Sequence, residues 1–297
     1  MFGCFKFCCL ALLVTSSQYL DGAADGAAIV RRIQSFTNET HSRSDPRLVE
    51  YLKSLTPQES LSAARYACAE ADRNPEFQEL PAQKRSVGTA QAALLCLSYF
   101  FERCDSVEAG GDMLRSVAAD RSEHPGLRRA IIASMDAGIG GKFPHFLENI
   151  NSYATAHEAK VAELLDRITK DKDDDLFVRS EAIRTYATRL RNKGRSICMS
   201  DPSAIALSGG SKTPLRLGDL VRSGELRLSE ETWHALTPID ERAVAHASDL
   251  AKIALDPEEP ADLRQQVRQT VEQYQQIPMK DDGMISAILS KVEADAP

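Results

Sequence analysis

The stretch Leu250-Ala251-Lys252-Ile253-Ala254-Leu255-Asp256-Pro257-Glu258-Glu259-Pro260-Ala261-Asp262-Leu263-Arg264 decides the fold. Leu250 and Ile253 sit one turn apart on a first helix. The run from Asp256 to Asp262 is rich in Pro and acidic residues, which break helices or cap them. Leu263, Val267 and Val271 then recur at i, i+4 and i+8, the spacing of one apolar stripe on a second helix. The stretch is therefore a helix–turn–helix hairpin. The same register occurs twice earlier, aligned on Asp120, Asp171 and Asp256. Six residues before each Asp stands Leu114, Leu165 or Leu250, and three before stands Val117, Ile168 or Ile253. Seven after comes Leu127, Val178 or Leu263, eleven after Ile131, Ala182 or Val267, and fifteen after Met135, Tyr186 or Val271. The Arg column, eight after, is invariant: Arg128, Arg179 and Arg264.

A single hairpin cannot bury its own stripe, so the hairpins must stack. The pattern resembles the HEAT repeat, whose units read Leu-x-x-Leu, a turn opening with Asp-Pro, then Val-Arg and a second helix. Leu250 to Arg264 matches best, Leu165 to Tyr186 next, and Leu114 to Met135 lacks the Pro. The resemblance implies a right-handed α-solenoid, an α-α superhelix. It also implies that the turn Asp and the second-helix Arg bond along the stack. That role falls on Asp120, Arg128, Asp171, Arg179, Asp256 and Arg264. Two departures stand out. The turn is longer than the usual form, and the copies lie 51 and 85 residues apart, against roughly 40–47 for tandem units.

Beyond these units the chain reads as helix almost throughout. Thr56-Pro57-Gln58-Glu59 places an N-cap Thr, an N1 Pro and an N3 Glu in order. Thr237-Pro238 repeats the device and predicts a helix boundary between 230–236 and 238–255. Other helices are expected over 83–104, 107–119, 126–137, 143–154, 157–170, 176–191 and 216–223. The Gly- and Pro-bearing segment 192–228 reads as an irregular insertion within one helical-repeat domain, 25–297. Only Glu225 to Leu228 suggests a short extended piece. Aromatics at 6%, with one Trp, suit helices packed through Leu, Ile, Val and Ala.

Residues 1–24 read as a signal peptide. Lys6 precedes a short apolar run of about nine residues, where a membrane span needs roughly 20. Small residues Gly22, Ala23 and Ala24 follow. The expectation is a secreted or periplasmic protein with no stable membrane insertion after cleavage. Four cysteines then remain: Cys68, Cys96, Cys104 and Cys198. They read as buried thiols, or as one bridge from Cys68 to a neighbouring helix. Cys96 and Cys104, eight apart on one expected helix, are separated by about 12 Å of rise and cannot pair.

Catalytic, cofactor and metal motifs are missing from the sequence. Ser208-Gly209-Gly210-Ser211-Lys212-Thr213 has phosphate-loop residue types without the strand or spacing that such a loop needs. The histidines form no HExxH pattern. Asp173-Asp174-Asp175 lacks the calcium-loop spacing and reads as negative charge at a helix N-terminus. Asn38-Glu39-Thr40 is a glycosylation sequon. The net charge of −7 argues against nucleic acid, whose binding needs a cationic surplus. The expected function is a non-catalytic scaffold or adaptor for a protein or peptide partner, without cofactor or metal. The competing expectation is a helical enzyme or enzyme-associated domain with a site near His145, His157 and the 192–228 segment.

Overall fold

The computed structural model describes residues 23–40, 45–136, 143–208, 217–279 and 282–294. The expected signal peptide, its three cysteines and Ser211 to Pro214 lie outside them, except that Ala23 and Ala24 open the first helix. The chain is all-α: every regular element among the described residues is helical and no strand occurs. Two compact units divide at Glu181 and Ala182.

The first unit holds α1 Ala23–Thr40, α2 Pro46–Ser54, α3 Pro57–Arg73, α4 Pro75–Gln78 and α5 Ala82–Cys96. A 3-10 turn, Phe100–Arg103, precedes α6 Val107–Ala119, α7 Pro125–Ser134, α8 Pro144–Ala156 and α9 Glu158–Lys170. α10, Leu176–Met199, begins in this unit. α1, α3, α5 and α7 form one layer, each packing on the next. α6 closes back on α7 and also meets α8 and α9, while the 3-10 turn meets α2, α6 and α8.

The capping residues start these helices as the sequence predicts. The Thr56 hydroxyl accepts from the Glu59 amide, and the Glu59 carboxylate accepts from the Thr56 amide at 2.7 Å. That amide holds the Glu59 carboxyl below its ordinary pKa. At α7 the cap is a histidine. His124 Nδ1 accepts from the Gly126 amide at 3.0 Å, so its proton resides on Nε2, 2.9 Å from Asp72 Oδ2.

The hairpin stripes form the core. Of the fifteen apolar residues in the five aligned columns, fourteen are buried and Tyr186 is half-buried. Close approach of α6 to α8 depends on Gly111, where a Cβ would lie only 2.1 Å from Cγ and Cδ2 of the Tyr153 ring. Tyr153 is buried, and its hydroxyl donates to Asp112 at 2.6 Å. Burial and the Asp112 carboxylate push the phenol up to about 12.

The second unit holds the rest of α10, α11 Pro202–Ser208, α12 Leu217–Arg222, α13 Glu230–Leu255, α14 Ala261–Tyr274 and α15 Asp282–Ala294. α13 packs on α14 and α15, which also meet each other. Three expectations change. First, α13 is one helix through Pro238; instead of capping, the Thr237 hydroxyl bonds back to the Trp233 carbonyl, four residues earlier, at 3.1 Å. Second, the expected 83–104 helix ends at Cys96, and Cys104 lies beyond it, just after the 3-10 turn. Third, α10 runs on to Met199, and Glu225 to Leu228 forms no strand.

The 192–228 segment, where described, builds a small core together with the start of α13. Cys198, Ala204, Leu217, Leu226 and Leu236 are buried together, with Trp233 against them. Buried Asp201 ties it together, accepting from the amides of Ser203 and Ser229 and the Thr232 hydroxyl, each at 2.8 Å. Burial alone would push its carboxyl up. The Ser229 amide and the Thr232 hydroxyl outweigh that and hold it well below the carboxylate range. The four cysteines outside the first 24 residues are free thiols.

Gly111→Ala is expected to destabilise the protein by about 2 kcal/mol through overpacking, and Gly111→Ala/Tyr153→Leu to recover part of it. Thermal melts of the two variants check this; equal losses would place the strain elsewhere.

Candidate functional site

The aligned Asp residues occupy equivalent places in three turns. Each ends its first helix: the amides of Asp120, Asp171 and Asp256 donate to Val117, Ile168 and Ile253 carbonyls at 3.3 Å. Each carboxylate then accepts from the amide two residues on, Ser122 at 2.8 Å, Asp173 at 3.2 Å and Glu258 at 2.9 Å. Each carbonyl accepts from the amide three residues on, Glu123, Asp174 and Glu259, at 3.1, 3.1 and 3.2 Å. An Asp at this point supplies both the short acceptor and the backbone turn, which accounts for its identity.

The Arg column caps the same hairpin. Arg128 Nε donates to the Ala118 carbonyl at 3.0 Å. Arg179 donates to the equivalent Thr169 carbonyl through Nε and Nη2, at 3.4 and 3.3 Å. Both carbonyls belong to the last turn of the first helix, where intrahelical donors run out and a cation meets the negative end of the helix dipole. Arg264 departs from this: its Nε has no hydrogen-bond partner among the described residues.

Bonds between successive hairpins of the first unit come from a set wider than the aligned pairs. The Arg128 guanidinium, 2% exposed, reaches Asp174 of the next hairpin in a bidentate pair at 2.5 and 2.6 Å. Asp174 stands three residues past the aligned Asp171. Burial pushes its carboxyl up, but Arg128 outweighs this and holds it below the ordinary range. Asp171 itself lies 3.4 Å from Arg121, the residue following the first aligned Asp, and Arg121 also donates to the Asp173 carbonyl at 2.7 Å. One step earlier, Arg65 on α3 grips Glu123, the counterpart of Asp174. On α7, Arg129 links Ser86 at 2.7 Å to Glu181 at 3.1 Å.

Between the turn after α6 and the turn after α9 lies a cavity of about 220 Å³. Arg121, Arg128, Arg167, Asp171 and Asp174 line it, with Ala119 and Ile168 as apolar wall. It brings two framework pairs' residues together: Arg128 and Asp171 share it, while Asp120 stays at the solvent-facing turn.

The remaining candidates are occupied structurally. Asp175 caps α10, accepting from the Phe177 and Val178 amides at 2.9 and 3.1 Å. His145 packs at a tilt against Tyr99, and His157 against Tyr153, beside Glu108. They sit at opposite ends of α8, about 18 Å apart along its axis, so they do not form one site. Buried His246 bonds the Tyr274 hydroxyl at 2.5 Å. No cluster of three or more metal-ligating side chains occurs among the described residues.

Sequence reasoning missed Arg121, Arg167 and Asp174 as a group. The signal was available as an acidic column three after each aligned Asp: Glu123, Asp174 and Glu259.

Asp174→Asn is expected to cost about 3 kcal/mol at pH 7, since it leaves a buried guanidinium uncompensated. The folded-state pKa of Asp174 is depressed, so its contribution is present above the unfolded carboxylate value and is lost as pH falls through the folded one. The gap between wild type and variant in urea unfolding therefore closes below pH about 4. Arg264→Ala should cost less than about 1 kcal/mol. Comparison with protein-family profiles, curated proteins and solved structures found no match to the chain.

Proposed function

We propose that the chain is a non-catalytic α-solenoid of HEAT-like hairpins that serves as a scaffold or adaptor for a protein or peptide partner. The observation that carries this reading is the threefold recurrence of one turn geometry with the same three backbone and side-chain bonds. The α1–α3–α5–α7 layer supports it, since side-by-side packing of successive helices is how repeat proteins bury stripes no single hairpin can cover. Stacked helices present extended surfaces, and such surfaces suit binding to other chains. Five of the six framework residues, Arg264 apart, are engaged in turns, caps and cross-hairpin pairs, which fits a structural rather than a chemical role for them.

Export behind residues 1–24 is part of the proposal and rests on the sequence pattern of Lys6, the short apolar run and the small residues after it. No helix of the described residues is long and apolar enough to cross a membrane.

The test is affinity capture with cross-linking from native envelope fraction and culture supernatant, followed by calorimetry with each purified partner. The scaffold reading expects a protein that binds the purified chain directly with micromolar or tighter affinity. A chain that captures no protein yet binds or turns over a small molecule would overturn it in favour of the helical enzyme.

A further inference from the structure

We propose that the cavity between the turns at 120–124 and 171–175 is a binding site for a single carboxylate group carried on a short aliphatic stem. Three guanidiniums and two carboxylates line it, so it holds one surplus positive charge within a chain of net charge −7. Two of the guanidiniums are engaged. Each of the three nitrogens of Arg128 is bonded, to Asp174 or to the Ala118 carbonyl. Arg121 lines the cavity, is anchored through one nitrogen on the Asp173 carbonyl and stands 3.4 Å from Asp171 through another, which leaves at least three of its five N–H donors uncommitted.

Arg167 is the different one. It projects from the last turn of α9, lines the cavity and is exposed. It makes no ion pair or hydrogen bond with the described residues. A planar guanidinium offers two parallel donors that match a carboxylate. Arg121, anchored on the Asp173 carbonyl, lines the same cavity and can add a third. Ala119 and Ile168 give the cavity an apolar wall, suited to methylene groups behind the carboxylate.

The charge count selects the ligand class. A phosphate dianion would set two negative charges beside Asp171 and Asp174 against one surplus positive charge, whereas a carboxylate is matched by Arg167 alone. Two sources carry this chemistry: a free aliphatic monocarboxylate, and a Glu side chain of a partner segment. The second extends the scaffold reading and rests on it; the cavity's affinity for a free carboxylate does not.

The test follows the Arg167 side-chain Nε–H signal by NMR during titration of the full chain. The probes are sodium butyrate, the capped peptide acetyl-Gly-Glu-Gly-amide, its Gln counterpart and inorganic phosphate. Saturable shifts are expected with butyrate, the Glu peptide or both, and none with the Gln peptide. Because the Nε–H signal is lost with the side chain, binding to Arg167→Gln is read by calorimetry and should weaken by about tenfold or more, the loss of a charged hydrogen-bonded pair. Melting temperatures of wild type and R167Q should agree, since the side chain holds nothing in the fold. Preference for butyrate over the Glu peptide assigns the free ligand, and the reverse assigns the peptide. No saturable shift with either carboxylate, equal response to the Gln peptide, tighter binding of phosphate, or undiminished binding by R167Q would each overturn the site. None of these outcomes depends on whether a protein partner is captured.

Discussion

A guanidinium removed from water must find charge and acceptors, or the fold that buries it will not form. Arg128 is that guanidinium. It is 2% exposed, and its three bonds tie the end of α6 to the turn after α9. A buried pair of this kind is costly to assemble and costlier to break by halves. It therefore acts less as a source of net stability than as a constraint on register. Sliding one hairpin against the next would leave Arg128 and Asp174 both buried and unpaired.

The rest of the first unit is arranged around that constraint. The turn must place an acid three residues beyond its leading Asp, so the Asp carboxylate and carbonyl hold the backbone there. The second helix must start where its Arg can reach back to the first helix's last carbonyls, and Arg128 and Arg179 both do. Arg65 and Glu123 repeat the cross-hairpin grip one step earlier at a more exposed position. In the second unit a buried carboxylate is again the organising group. Asp201 gathers the starts of α11 and α13 through two amides and a hydroxyl.

What was legible in the sequence was local. The apolar stripes recur at helical spacing, and the columns led by Leu114, Leu165 and Leu250 are buried. The Asp column was visible as an identity because each Asp builds the turn of its own hairpin, and Arg128 and Arg179 likewise reach back to their own first helix. The partner of Arg128 was not, since Asp174 lies 46 residues away and its meeting with Arg128 depends on packing. Pro238 misled for the opposite reason: a strong local stop signal was overridden by a long helix whose buried face continues on both sides of it. The glycine- and proline-rich look of 192–228 concealed a small core that depends on one aspartate. Gly111 gave no sign in isolation, because its reason is a tyrosine ring 42 residues later.

The all-helical packing explains the composition, since helices that approach through Leu, Ile, Val, Ala and an occasional Gly need few aromatics. The most direct test of the account is a double-mutant cycle on Arg128→Met and Asp174→Asn, read by urea unfolding at pH 7. If the pair sets the register between hairpins, each single variant loses more than the double variant's share, with a coupling of about 2 kcal/mol or more. Additive losses, with coupling near zero, would contradict it.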